Sequence, residues 1–314
     1  MDAQQSAVRP GGIAVAAHAK VNLDLRVVAV RPDGYHDLDT IFQALVLHDT
    51  VRVQPAAGPP EVRCDARGVP LDRGNLVWRA ADALAAHAGF AEWPSPVTIA
   101  IEKRIPVQSG LGGGSANAAA ALLALDAAWG LGLGRERLAR LGAALGADVP
   151  FFFTGGTARG LGRGDRLLAL PDLPPHHVVL ARPPAGVSTA DAYRWFDEST
   201  GGRCPPPAAG AVHEAPDLGA GWPRAVGVWR NDLEAPVIAR HPEIGWLALQ
   251  LRAHGAVHAA MTGSGSAVFG LFDVRERAER AAAAVAAAGV WVALTETLAG
   301  PAVRDLSPGG LSPL

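Results

Sequence analysis

From Ala14 to Val30 polar and apolar residues alternate, with Val21, Leu23, Leu25 and Val27 on one face, and this period of two predicts a strand. Pro32, Asp33 and Gly34 in RPDGYHDL (31–38) supply a turn, and alternation resumes from about Leu38 to Val53. Residues 76–88 place Leu76, Ala80, Leu84 and Ala88 on one helical stripe, with Asn75 as the N-cap. VTIAIEKRIP (97–106) reads as a strand ended by Pro106. A helix is expected from about Ser115 to Trp129, stopped by Gly130, and a shorter one over 135–145, ending at Gly146. ADVPFFF then leads into strand, and GGTARGLGRGDRL (155–167) reads as a glycine-punctuated turn between strands.

The texture changes at PDLPPHH (171–177), which is read as a linker. Beyond it come HVVLAR, a helix from about Ser188, and a Pro/Gly-rich excursion at 200–224 read as a surface loop. Then follow LRAHGAVHAAMTGSGSAVFGLF (251–272), a helical 274–289 and VWVALTE (290–296). Hairpin-like strand pairs beside helical connections predict an α+β fold in two domains, 13–170 and 176–298. Residues 1–12 and 300–314 are expected to be loose tails, and no internal repeat is present.

Composition narrows the function. The chain has 314 residues, 49% of them hydrophobic, enough for one large core or two ordinary ones. A net charge of −2 points to neither a nucleic acid nor an anionic membrane as partner. There is no run of 18 apolar residues and no signal-like leader, and Cys64 and Cys204 fit neither a metal site nor a disulfide framework. The expectation is a soluble cytoplasmic protein acting on small molecules; the sequence does not specify its oligomeric state.

The most distinctive stretch is PVQSGLGGGSA (106–116), directly before the alanine-rich helix. A P-loop would need Lys after Gly114, and a dinucleotide fingerprint would need Gly rather than Ser115 at its sixth place. What remains is a run of glycines whose backbone N–H groups can crowd an anion, beside the positive end of a helix. A phosphate cradle and a plain surface turn both fit the run taken alone.

Rarity adds a second signal. Of 28 basic residues only Lys20 and Lys103 are lysine, and the chain has two tyrosines, Tyr35 and Tyr193. Where arginine has replaced lysine almost everywhere, a surviving lysine marks a place where a compact ammonium fits and a planar fork does not. Lys20 lies two residues from Asn22, and Lys103 leads into the glycine run. By alternation Lys20, Asn22 and Asp24 share a face, either a site or a solvated edge.

Four segments, AHAKVNLDL (17–25), RPDGYHDLDTIFQ (31–43), PVQSGLGGGSANAAAAL (106–122) and MTGSGSAVFGLF (261–272), together resemble the GHMP kinase superfamily. The DGYH turn, LGADVPFF (145–152), GVSTADAY (186–193) and RNDLEAP (230–236) look like its branch acting on a cytidyl diphosphate alcohol. The resemblance covers about residues 14 to 296. It implies an N-terminal domain like the second domain of ribosomal protein S5, a ferredoxin-like C-terminal domain, and an active site in the cleft between them.

The resemblance also implies roles. ATP, with Mg2+, would lie on Pro106, Val107, Gln108, Ser109, Gly110, Leu111, Gly112, Gly113, Gly114, Ser115 and Ala116, with Asn75 and Lys103 near the adenine. Gln108 and Ser109 replace a small Gly/Ala pair, and Ala116 stands where serine is common; neither change removes a backbone donor. Ser115 could offer its hydroxyl to phosphate or metal, or simply cap the helix. Asp148 would accept the proton of the substrate hydroxyl and Lys20 would offset developing negative charge, while Asn22 would orient substrate. Tyr35 and His36 would hold the cytosine, and Thr189 and Tyr193 would close the substrate side. The glycine-rich turn GSGSA (263–267) would pack against and support the phosphate loop, and no acidic residue stands out as a protein ligand for the metal.

The expected reaction is ATP-dependent phosphorylation of the 2-hydroxyl of 4-diphosphocytidyl-2-C-methylerythritol, a step of the non-mevalonate route to isoprenoid precursors. A homoserine- or mevalonate-type kinase of the same superfamily would give Tyr35 nothing to stack on. A non-catalytic nucleotide sensor would need neither Lys20 nor Asp148.

Overall fold

The computed structural model describes residues 12–201, 229–287 and 289–306. Most of the expected excursion, 202–224, and the leader 1–11 lie outside the described residues, as does the tail from 307. The alternating segments become β1 (Ile13–Val30) and β2 (His36–Pro55), an antiparallel pair joined by the 31–35 turn, where Gly34 takes a φ of 81°. β3 (Glu61–Cys64) and β4 (Val97–Glu102) run parallel to each other beside the far half of β2. β5 (Thr157–Gly162) pairs with the near half of β2, and β6 (Arg166–Ala169) with β5.

Three expectations change here. The 155–167 stretch is mostly strand, β5 and β6, and the turn shrinks to 163–165. Its glycines are spent on close approach: a Cβ at Gly160 would lie 2.6 Å from the ring of Phe42. The phenylalanines of ADVPFFF sit in a short helix, Val149–Thr154, rather than a strand, because Pro150 in the first turn starts a helix readily and all three rings find apolar partners. The third is the tail. Residues 303–305 form β11, antiparallel to β1, with Ala302 and Val303 buried against the first core. Apolar residues at 302 and 303 gain more by covering the edge of β1 than by staying in water.

Four helices serve the first sheet: α1 (Leu76–His87), α2 (Gly113–Ala128), α3 (Gly134–Leu145) and α4 (Val149–Thr154). α2 is buried on nearly every side, against β1, β2, α1, α3 and α4, and its alanines give it the slim outline this requires. The second sheet runs β10 (Trp291–Glu296), β7 (His177–Arg182), β9 (Val268–Phe272), β8 (His258–Met261), all antiparallel. With α5 (Thr189–Thr200), α6 (Glu234–Ile238), α7 (Pro242–Ala253) and α8 (Arg275–Val285), it has the split βαβ order of a ferredoxin-like sheet. Residues 170–176 connect the two sheets without regular structure, pinned by buried Leu173. A shared apolar cluster holds the sheets together, with Val21, Leu23 and Ile41 meeting Leu180, Phe269 and Leu271.

Two histidines lie near these joints, His18 buried and His258 half-buried. His18 Nδ1 faces the carbonyl oxygens of Leu45 and Val46 at 3.0 and 3.1 Å, and burial, helped by His48 and Arg304, lowers its pKa to about 4. Burial, helped by Arg252, lowers that of His258 to about 4 as well. In the unfolded chain both protonate near the ordinary value of 6.5. Between these values the unfolded state binds more protons, so stability is complete above about 6.5 and falls as pH drops toward 4. The expected loss is on the order of 1–3 kcal/mol per histidine. Urea midpoints at pH 7 and pH 5 should show it, and His18→Gln should flatten the slope whatever its absolute stability; an unchanged slope would remove His18 from the account.

Candidate active site

The glycine loop lies between β1 and the second sheet and is held from both sides. Lys20 N donates to Leu111 O (3.0 Å), and Ala267 N donates to Ser109 O (3.0 Å). Ser109 Oγ folds back onto Pro106 O (2.7 Å). Gln108, Gly110 and Gly112 have φ of 51°, 78° and 75°. For Gly110 no other residue fits, since a Cβ there would meet Thr262 O at 2.2 Å. Gln108 holds its strained backbone without that excuse; its Oε1 reaches Gly186, where a Cβ would lie 3.2 Å away. Pro106 is half-buried and Val107 exposed at the loop's outer rim.

The helix begins earlier than its sequence suggests. Gly112 is the N-cap of α2, in the left-handed conformation, and Ser115 is the third helical residue, so the capping reading of Ser115 falls. The first N–H groups of α2, at Gly113, Gly114 and Ser115, have no partner within the helix and carry its positive end. Ala116 N donates to Gly112 O (2.9 Å), and buried Ala116 anchors this first turn. Ser115 Oγ instead faces the 146–148 turn, 3.8 Å from where a Cβ on Gly146 would sit.

Directly behind Gly112 lies Lys20, and a Cβ on Gly112 would come within 3.0 Å of its Cγ. Lys20 is not on a solvated edge: its side chain is 4% exposed, Nζ donating to Asn22 Oδ1 (2.6 Å) and pairing with Asp148 Oδ2 at 3.4 Å. Asn22 is clamped in turn, Nδ2 to Thr40 Oγ1 (2.7 Å) and its backbone N to Thr262 Oγ1 (2.9 Å). Asp24 does not join this row. A register shift between Asn22 and Asp24 intervenes, and its carboxylate accepts from Arg26 Nε and Arg230 N, both at 2.8 Å. Asp148 precedes α4 but makes no capping bond, so its carboxylate, a third exposed, is left for the ion pair with Lys20.

Lys103 and Asn75 stand on the other flank of the loop. Lys103 Nζ pairs with buried Asp49, which also accepts from Arg104 N (2.7 Å) and Ile105 N (2.8 Å). That brings the ammonium within 3.0 Å of where a Cβ on Gly113 would lie. Asn75 caps α1 as expected, Oδ1 accepting from Val77 N (3.0 Å) and Nδ2 donating to Pro70 O (2.7 Å).

Beyond Asp148, at the other end of the cleft, the DGYH turn meets α5. Tyr35 is 59% exposed, with the Arg163 guanidinium over its ring at 5.5 Å. His36 is buried, its ring stacked on Tyr193 (4.7 Å between centroids, 26°) and its Nε2 2.9 Å from Asp197 Oδ1. Burial, and then the charge of nearby Asp148, push the Tyr193 hydroxyl pKa up. Thr189 Oγ1 meets Ser264 Oγ at 3.1 Å, tying α5 to the 263–266 turn. That turn also backs the loop, since a Cβ on Gly263 would lie 3.4 Å from both Lys20 Nζ and Asn22 Oδ1. Asp49, Thr262, Arg163 and Asp197 were not legible beforehand, although Asp197 falls one helical turn after Tyr193, a spacing that could have exposed it.

Residues 75–156 match the family model for the GHMP kinases N terminal domain, and residues 225–290 that for the GHMP kinases C terminal. A 4-diphosphocytidyl-2-C-methyl-D-erythritol kinase of Moorella thermoacetica is 42% identical over 284 residues, covering 86% of this chain and 93% of its own. The chain belongs to the GHMP kinase family, in its 4-diphosphocytidyl-2-C-methyl-D-erythritol kinase branch. The enzyme of that name from Streptomyces coelicolor is 45% identical over 258 residues, 81% of this chain and 85% of its own. A crystal structure of a 4-(cytidine 5'-diphospho)-2C-methyl-D-erythritol kinase superposes with a TM-score of 0.71 at 37% identity, covering 91% of this chain and 99% of that one. A homoserine kinase from Cytophaga hutchinsonii reaches the same TM-score at 18% identity, over 98% of this chain and 99% of its own, a likeness of fold alone. The two-domain GHMP kinase fold expected from the motifs is the one observed. No helix among the described residues is long and apolar enough to cross a membrane.

Two glycines of the run, Gly110 and Gly114, give a matched test of this construction. Gly110→Ala should cost at least about 1–2 kcal/mol, from left-handed strain and the collision with Thr262 O. Gly114→Ala, with ordinary φ and only Leu76 nearby at 3.9 Å, should unfold at nearly the parent's urea concentration. Equal midpoints for the two variants would show that the loop is not gripped by the 262–265 turn.

Proposed function

We propose that this chain transfers the γ-phosphoryl group of ATP to the 2-hydroxyl of 4-diphosphocytidyl-2-C-methyl-D-erythritol, in the non-mevalonate route to isoprenoid precursors. The observation that carries this reading is the position of the Lys20–Asp148 pair. It stands between a glycine loop at a helix N-terminus and an aromatic turn suited to a base. The triphosphate lies along the loop of residues 106–116 and the first turn of α2, where free N–H groups and the helix dipole offset its charge. The adenine falls toward Asn75 and Lys103.

Asp148 accepts the proton of the 2-hydroxyl as its oxygen bonds to the γ-phosphorus and the bond to the β,γ-bridging oxygen breaks, releasing ADP. Lys20 Nζ, held between Asn22 and Asp148, faces the equatorial oxygens and offsets their charge, while Asn22 helps orient the acceptor. Tyr35 stacks on the cytosine, His36 reads its edge, and Thr189 and Tyr193 line the acceptor side. Among the described residues no three acidic, histidine or cysteine side chains gather into a metal site. A magnesium ion would be held mainly by the nucleotide's phosphate oxygens, with Ser115 Oγ as the protein oxygen that could join them. When bound it would neutralise phosphate charge. The reading places the enzyme in the cytoplasm, with small molecules rather than nucleic acid as its partners.

Asp148→Asn should lower kcat by roughly 10²–10⁴-fold with the KM for ATP within a few-fold of the parent. Lys20→Arg should also be damaging although it keeps the charge, because a wider fork does not fit behind Gly112. Single-turnover and steady-state assays check both; a kcat within threefold of the parent in either variant removes that residue from the mechanism.

The acceptor is tested by ADP release against a panel containing the cytidyl alcohol, 2-C-methylerythritol 4-phosphate, homoserine and mevalonate. Only the cytidyl compound should turn over efficiently. Tyr35→Ala should weaken it by about 1–3 kcal/mol and Tyr35→Phe by much less, with the KM for ATP unmoved by either. Equal use of 2-C-methylerythritol 4-phosphate, or a Tyr35→Ala variant that loses ATP instead, would overturn the assignment.

A further inference from the structure

One strong polar contact at the acceptor end is still without a role. We propose that Asp197 is a positioning residue that fixes the tautomer of His36, so that the ring offers an acceptor nitrogen to an exocyclic amino group on the substrate's base. The inference rests on the cytidyl reading of the acceptor and adds to it the means by which an amino base is told from a keto base.

The chemistry follows from the donor inventory. An ionised carboxylate only accepts, so His36 Nε2, 2.9 Å from Asp197 Oδ1, carries the hydrogen. In the neutral ring Nδ1 is then a lone-pair acceptor, and it has no hydrogen-bond partner among the described residues. The ring cannot readily turn to present anything else. Tyr193 stacks on its face, Phe196 meets it edge-on at 6.2 Å and 83°, and a flip would break the bond to Asp197. Tyr193, Phe196 and Asp197 are spaced i, i+3, i+4 on α5, so one helix face supplies plane, edge and anchor together. A cytosine amino group donates to such a nitrogen, whereas the carbonyl oxygen of uracil at the same place meets a second lone pair.

Asparagine at 197 removes the acceptor-only constraint with little change of shape. Its amide can accept from Nε2–H or donate to a bare Nε2, so the ring hydrogen is no longer pinned and Nδ1 is a donor in part of the population. The test compares CDP and UDP as competitive inhibitors of the parent, Asp197→Asn and Asp197→Glu forms, alongside 15N NMR of histidine-labelled protein, with the His36 signals assigned by their loss in His36→Gln. The parent should bind CDP about ten- to a hundredfold more tightly than UDP and show a protonated Nε2 with a bare Nδ1. Asp197→Asn should lower the CDP/UDP ratio toward one, mix the two nitrogen signatures, and raise the KM for the cytidyl substrate severalfold with kcat moved less than threefold. Asp197→Glu should keep most of the parent's ratio. A variant that weakens CDP and UDP equally with unchanged nitrogen signals would overturn the proposal and leave Asp197 a merely structural residue. A parent that binds neither nucleotide, yet shows nitrogen signals that respond to Asp197→Asn, would instead overturn the cytidyl reading, with the ring geometry intact.

Discussion

The site is organised around one buried ammonium. A lysine whose side chain is almost wholly removed from water must find its compensation within the protein, and Lys20 finds it in Asn22 Oδ1 and Asp148 Oδ2. Each partner then needs its own support. Asn22 is tied to Thr40 on β2 and to Thr262 beyond β8, and Asp148 is delivered by the turn that opens α4. The same lysine backs Gly112, so the charge, the phosphate loop and the carboxylate share one small volume. Moving Lys20 or Asp148 leaves a charge unpaired, which ties the loop, the ammonium and the carboxylate into one geometry.

That volume draws on both halves of the chain. Loop residue Gly110 is moulded against Thr262 and Gly265, Ser109 O accepts from Ala267, and Thr189 on α5 reaches Ser264. The loop that carries the most recognisable motif of the N-terminal half therefore takes its shape from residues some 150 positions later. Flexible glycines are useful here because the neighbouring chain is rigid.

How much of this was legible depended on the range of the interaction. β1, β2, α1 and α5 follow from period and cap, since Asn75 and Ser188 form local bonds that need no tertiary context. Lys20, Asn22 and Asp148 stood out through residue rarity and motif. The misreadings share a cause. Alternation could not reveal the register shift that turns Asp24 away, and an apolar run such as FFF does not distinguish a buried strand from a buried helix. The edge of β1 that turns residues 303–305 into a strand is almost three hundred residues away. Asp49 and Asp197 were invisible for a related reason, as an acid's partner is chosen by the fold.

β11 has a consequence for the order of assembly. It hydrogen-bonds to β1, yet it leaves the ribosome only after every strand of the second sheet has emerged. During synthesis the first sheet must wait with one margin open, its buried face at Val15 and Ala17 lacking the cover that Ala302 and Val303 later provide. The two sheets therefore cannot mature as independent beads on a string. Completion of the earlier one is a late event, and a chain stalled near residue 300 would carry an exposed strand edge open to pairing with a neighbour.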